Sequence, residues 1–125
     1  MPHTSKTSSD KAGLGRAGEN VVARMLEQKG ATILARNYRS KYGEIDIIAQ
    51  KGDTIAFVEV KRRVKHYFAL SSVITEQKQQ KIAKTARFFI INHPTITCSY
   101  RFDVALIEED AEVVYIENAF SIEDR

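Results

Sequence analysis

Residues 44–61 read EIDIIAQKGDTIAFVEVK. Two apolar, β-rich runs flank the polar loop KGDT, a pattern that predicts two antiparallel strands joined by a turn. Both runs carry an acid in mid-strand, Asp46 and Glu59, and the second closes on Lys61, at positions where packing alone would favour valine. With Gln50 opposite Ile55, the register sets Asp46 directly across from Glu59, their Cβ atoms about 5 Å apart. Strand alternation then puts Glu59 and Lys61 on the face that carries Asp46.

Two opposed carboxylates repel one another unless a positive charge lies between them. A divalent cation would offset that cost. Mg²⁺ and Mn²⁺ take carboxylate, carbonyl and water oxygens, which suits two carboxylates open to a phosphate. In phosphodiester hydrolysis such a metal generates the attacking hydroxide, and a lysine beside it offsets charge developing on the phosphorus. Asp46, Glu59 and Lys61 are therefore the candidate catalytic residues. A plainer reading stands beside this one: Lys61 neutralises Glu59 as a same-face ion pair, and Asp46 faces solvent on an edge strand.

Upstream, Ala17, Val21, Val22, Met25 and Leu26 recur at helical spacing, which predicts a helix from about Leu14 to Lys29 with Gly30 as its stop. Glu19 shares its packed side with Val22 and Leu26, where an unpaired carboxylate is costly. It is either a third metal ligand beside Asp46 and Glu59, or a carboxylate interacting with the helix dipole near the N-terminus. Residues 32–36, TILAR, predict a short strand, and NYRSKYG an irregular link. Glu44 shares the parity of Asp46 and either supports the ligands or merely begins the strand.

Downstream of the basic run KRRVKHYFAL, a helix is expected from about Ile74 to Ile91, ended by His93-Pro94. Ile82, Ala83, Ala86, Phe89 and Ile90 share one face, and Lys78, Lys81, Lys84 and Arg87 lie on the rest. RFDVALIE and AEVVYIE predict a final hairpin turned at Glu109-Asp110. The order α-β-β-β-α-β-β describes an α/β domain with a mixed central sheet flanked by helices. That domain spans residues 14–120, between an N-terminal tail at 1–13 and a frayed end at 121–125.

The 125 residues, 43% of them hydrophobic, suffice for one core. The first residues, MPHTSKTSS, lack the apolar segment of an export leader, and the longest apolar runs are strand-sized, so no membrane span is expected. Cys98 is the single cysteine, which excludes an intramolecular disulfide and a thiolate zinc site; a cytoplasmic location is expected. Charge is unevenly spread: residues 1–102 hold 18 Lys and Arg against 8 Asp and Glu, whereas residues 103–125 hold 1 against 8. Residues 59–88 alone hold 8 basic against 2 acidic side chains.

That basic stretch makes Arg62, Arg63, Lys65, Lys78, Lys81 and Lys84 candidate nucleic-acid contacts, with a solvated helix face as the alternative. Nothing in it suggests reading of base edges, so binding by backbone and shape is expected. His66, Tyr67 and Phe68 either stack on unpaired bases or fold back onto the core. Gln77, at the head of the second helix, is a further polar group near the expected site. Asp103, held between Phe102 and Val104, is expected to pair with Arg101 or Arg36 as a structural ion pair and stays outside the site.

An acid in mid-strand followed by Glu-x-Lys on the next strand resembles the PD-(D/E)xK nuclease core, although Ile45 stands here in place of the usual proline. More specifically, Gly18-Glu19, Arg36-Asn37-Tyr38-Arg39, Gly43-Glu44-Ile45-Asp46, Val58-Glu59-Val60-Lys61 and Arg101-Phe102-Asp103-Val104 are similar to the motifs of the YraN family of bacterial proteins. The likeness runs from about Gly15 to Ile107. It implies a restriction-endonuclease-like, Holliday-junction-resolvase-like fold. It also puts Glu19, Asp46, Glu59 and Lys61 on the positions of a nuclease site, with the Val60 carbonyl as a further metal ligand. The expected function is a Mg²⁺- or Mn²⁺-dependent endonuclease acting on structured or branched DNA without sequence readout. The alternative is a catalytically inactive nucleic-acid-binding or scaffold protein that keeps the fold. A protein-interaction module using the acidic C-terminal end is a third reading.

Overall fold

From Thr32 to Arg62 the chain is almost continuous strand, folding back twice through two-residue turns. The computed structural model describes residues 6–62, 74–94, 99–108, 110 and 112–121, with side chains from Gly15 onward. Strands β1 (Thr32–Ser40), β2 (Gly43–Lys51) and β3 (Thr54–Arg62) form an antiparallel meander. Helix α2 (Glu76–Ile91) then leads to β4 (Ser99–Ile107), which pairs parallel to β3, and β5 (Val113–Phe120) returns antiparallel to β4. A parallel neighbour needs a crossover connection, and α2 lies within it. The mixed sheet has the order β1-β2-β3-β4-β5.

The β2–β3 register is the expected one, with Gln50 opposite Ile55, but Lys51 also pairs with Thr54. KGDT is therefore a two-residue Gly52-Asp53 turn rather than a four-residue loop, and Gly52 takes a φ of +59° that an L side chain adopts with strain. The short first strand and irregular link are also corrected. β1 continues through Asn37-Tyr38-Arg39-Ser40, pairing Tyr38 with Ile45 and Arg39 with Glu44. Its residues there are mostly polar and lie on an edge strand, so they carry no apolar alternation, and a bulge between Ile33 and Ala35 shifts what alternation there is.

α1 spans Lys6–Gln28 and so begins ahead of the expected Leu14. Gly13, Gly15 and the short polar residues before them carry no apolar period by which a start could be read. The stop is as expected: Gly30 is left-handed (φ +96°), its N–H donates to Glu27 O, and the Ala31 N–H donates to Leu26 O at 3.0 Å. α2 opens on Thr75, whose Oγ1 accepts from the Lys78 N–H at 3.2 Å.

The sheet separates two apolar layers. Under α2, Ile82, Ala86 and Phe89 pack on Ile45, Ile48, Ile55, Phe57, Val104 and Leu106. Under α1, Val22, Ala23 and Leu26 pack on Ile47, Ala49, Ala56, Val58, Ala105 and Ile107. Each of these buried Val, Leu, Ile and Phe side chains contributes roughly 1.5–3 kcal/mol, and the alanines less. Val21 and Ala17, expected on the packed side of α1, are exposed instead. Ile45 and Ile47 share strand parity yet belong to opposite layers, so alternation breaks at the residue between them, Asp46.

Candidate active site

Asp46 sits where the β2–β3 ladder ends. The last rung pairs Ile47 with Val58; one step on, the Asp46 carboxylate takes the place of a backbone acceptor, and the Val60 N–H donates to its Oδ2 at 2.8 Å. That charge-assisted bond fixes one carboxylate oxygen on the backbone beside Glu59. Asp46 is 8% exposed and Glu59 6%, on interior strands, which rules out the solvent-facing edge reading of Asp46.

Glu19 reaches the same place from α1. It lies well past the first turn of a helix that begins at Lys6, so the dipole reading of this carboxylate is overturned. Gly18 beside it packs on Ile107 and Val60, where even a Cβ would make ordinary contacts, 3.4 Å from Ile107 Cδ1 and 3.9 Å from Val60 Cγ1. Glu19, Asp46 and Glu59 line one cleft of about 500 Å³ with Gly18, Val60, Lys61 and Arg62.

The electrostatics of the three acids are those of crowding. Glu59 is pushed up to about 7, by burial first and by the Asp46 charge second, against the opposing pull of Lys78 and Lys61. Burial also raises Asp46, with the Val60 N–H working the other way. Glu19 is raised by burial and by Asp46, and Asn37 and Arg36 only partly compensate. Its Oε1 is buried and accepts no hydrogen bond among the described residues, with Arg36 Nη2 at 3.8 Å. Leaving such an oxygen unsatisfied costs about 1–3 kcal/mol.

Glu59 is paired, although not with the residue the spacing suggested. Lys78 Nζ, from the first turn of α2, lies 3.2 Å from Glu59 Oε2, while Lys61 lines the cleft with its side chain exposed. Lys78, expected on a phosphate track, is thus a half-exposed cation paired with one acid of the cluster, Glu59. Sequence reasoning missed the pair because the N-terminus of α2 reaches β3 through tertiary packing, which local spacing does not encode. The only sequence signal was the Thr75 cap, which fixes where Lys78 falls in the first turn.

The other expected residues divide. Arg62 lines the cleft; Lys81 and Lys84 are exposed on α2; Gln77 is exposed on its first turn and is not among the cleft-lining residues. Glu44 is exposed and pairs with Arg39 at 3.1 Å, acting on Asp46 through its charge alone. Arg63, Lys65, His66, Tyr67, Phe68 and Cys98 lie outside the described residues. Asp103 pairs with Arg101, not Arg36: the Arg101 Nε–H donates to both its oxygens at 2.9 and 3.1 Å, joined by the Tyr115 hydroxyl at 2.6 Å and the Asn118 N–H at 2.9 Å.

As a donor set, three carboxylates and the Val60 carbonyl suit a hard divalent cation, and the unsatisfied Glu19 oxygen beside two acids held above their ordinary range fits one. As the side chains lie, however, no three His, Cys, Asp or Glu among the described residues are grouped closely enough to hold a metal ion. Lys78 supplies the local positive charge. No helix among the described residues is long and apolar enough to cross a membrane.

With this geometry in hand, the comparison with known sequences is direct. Residues 18–107 match the model of the family described as "Uncharacterised protein family UPF0102". A UPF0102 protein of Alkaliphilus metalliredigens is 44% identical over 110 residues, 86% of this chain and 96% of the relative. One from Sulfurihydrogenibium sp. is 44% identical over 115 residues, covering 91% and 99% of the two chains. One from Vibrio parahaemolyticus is 37% identical over 114 residues, covering 89% and 94%. The chain belongs to the UPF0102 family, the YraN family its motifs resemble.

Proposed function

We propose that this chain is a divalent-metal-dependent nuclease of restriction-endonuclease-like fold that hydrolyses phosphodiester bonds of structured or branched DNA without reading sequence. The observation that carries the reading is the crowding of Glu19, Asp46 and Glu59 in one cleft, all three raised above their ordinary range, with a buried Glu19 oxygen lacking a donor and with Lys61 and Arg62 on the same walls.

In this reading Glu19, Asp46, Glu59 and the Val60 carbonyl hold Mg²⁺ or Mn²⁺, whose chemistry is Lewis acidity and a bound water of lowered pKa. The Val60 N–H keeps Asp46 turned into the cleft. The Lys61 ammonium offsets charge developing on the phosphorus, and Arg62 holds a neighbouring phosphate. A cation held by Glu59 would take over the charge that the Lys78 ammonium now offsets. The test is cleavage of branched and single-stranded DNA by purified protein in Mg²⁺ or Mn²⁺. Activity is expected in the wild type and lost in Glu59→Ala and Lys61→Ala; a wild type that cuts nothing rejects the reading.

A second reading is favoured by the Lys78–Glu59 ion pair, which already neutralises part of the cluster. In it the fold is kept for binding DNA or a partner, without catalysis. It predicts salt-sensitive DNA binding, no metal-dependent cutting, and a Lys61→Ala variant that loses one charge's worth of affinity and nothing more.

A further inference from the structure

Away from the cleft, the β1–β2 turn and the far half of α2 form a second surface. Of the six large apolar side chains exposed among the described residues, three gather here: Tyr42 (40% exposed), Phe88 (43%) and Ile91 (69%). With Lys84 and Arg87 they line a shallow groove of about 270 Å³. The Tyr42 ring has Lys41 Nζ at 5.4 Å and Lys84 Nζ at 5.6 Å from its centroid, both within cation–π range.

The turn that carries Tyr42 is tied down. The Tyr42 N–H donates to Ser40 Oγ at 3.0 Å, and Ser40 Oγ is itself 3.0 Å from Thr85 Oγ1 on α2. Next to it, Gly43 at φ +154° lies against α2, where a Cβ would come 3.6 Å from Lys81 Cβ. An exposed aromatic ring held on a fixed turn offers a flat contact at little ordering cost.

From this we infer that Tyr42 and Phe88, flanked by Lys84 and Arg87, form a platform for single-stranded nucleic acid, stacking an unpaired base while the cations hold the adjoining phosphates. Aromatic faces interleaved with cations match that ligand, because every base has a π-face and every linkage a negative charge. Charge selects against a second copy of the chain: a two-fold contact through this groove would set Lys84 and Arg87 against themselves, and no acid among the described residues lines the groove. α2 carries both Lys78, paired with Glu59 of the cleft, and Arg87 of the groove, nine residues and about 14 Å apart along its axis and about half a turn apart around it. The inference rests on the reading of the chain as a DNA-processing protein and specifies the substrate as one with unpaired nucleotides near the cut, but it does not depend on cutting.

The experiment is fluorescence anisotropy in EDTA, titrating labelled oligo-dT and a duplex of equal length with wild type, Tyr42→Ala, Tyr42→Phe and Phe88→Ala. Tyr42→Ala and Phe88→Ala are expected to weaken oligo-dT binding roughly ten-fold each and leave duplex binding unchanged. Tyr42→Phe keeps the ring and should bind like wild type. Equal losses on both ligands, or no loss on oligo-dT, would overturn the platform. So would sedimentation in which wild-type dimers dissociate on Tyr42→Ala, since that makes the groove a contact between copies. Absence of cutting in Mg²⁺ with platform binding intact would reject the nuclease and leave this inference standing.

Discussion

The Lys78 ammonium lies 3.2 Å from Glu59 Oε2 and is the cation that makes a buried glutamate tolerable beside Asp46. Removing it leaves Glu59 without its main opposing charge. Lys78→Ala should therefore destabilise the metal-free protein at about pH 8 by about 1 kcal/mol, because the half-exposed ammonium is partly screened by solvent, with a smaller loss near pH 5, where Glu59 carries its proton. Lys81→Ala, on the exposed face a turn away, should stay within about 0.5 kcal/mol of wild type. Urea titrations at the two pH values check both.

Lys78 also competes for the place a divalent ion would take. If it stands in for the metal, Lys78→Ala should bind Mn²⁺ more tightly than wild type, because a positive charge beside the site has gone. Calorimetry of the two proteins decides it, and weaker binding by the variant would make Lys78 part of the loaded site instead.

The raised Glu59 carries a signed prediction for pH. Its folded pKa of about 7 lies above the ordinary 4.5, so in the window between them the folded state holds a proton the unfolded state has lost. Stability from this group is full below pH 4.5 and falls as pH rises through about 7. Glu59→Gln should flatten that slope, melting above wild type at about pH 8 by a few degrees and near wild type at pH 5. Saturating Mn²⁺ should reverse the order at the higher pH, because only wild type keeps the ligand.

Asp103 is fully buried and accepts from Arg101, Tyr115 and Asn118, which ties β4 to the irregular end of β5. Burial and the Asp103 bond both raise the Tyr115 hydroxyl, keeping it a donor. Asp103→Ala leaves a guanidinium, a hydroxyl and an N–H without their acceptor and should cost about 3–5 kcal/mol. Tyr115→Phe removes one bond to a charged group, about 1.5–3 kcal/mol. Denaturant midpoints check the order, and neither change should alter Mn²⁺ affinity measured below the unfolding transition.

Much of the site was legible because it is local. Gln50 opposite Ile55 set the register as far as Ile47 opposite Val58, which brings Asp46 and Glu59 to the next step of the two strands without any long-range knowledge. Glu19 was readable from its spacing to Val22 and Leu26, since a helix face is fixed by its period. What escaped was non-local or unpatterned. The polar edge of β1, Asn37 to Ser40, has no apolar alternation. The alternation break that sends Ile45 and Ile47 to opposite layers needs the folded sheet. Lys78 meets Glu59 only because α2 docks its N-terminus at the end of β3. Tyr42 read as part of a link, since exposure of a turn residue is decided by what packs around it.

The central claim is that Glu19, Asp46 and Glu59 jointly hold one hard cation. Calorimetric titration of Mn²⁺ into wild type, Glu19→Gln, Asp46→Asn and Glu59→Gln at about pH 8 tests it most directly, since deprotonated carboxylates are required for binding. The account predicts saturable binding in the wild type and at least ten-fold weaker binding in each variant, the loss of one carboxylate ligand. Absence of binding in the wild type, or affinity unchanged in Asp46→Asn, would contradict it.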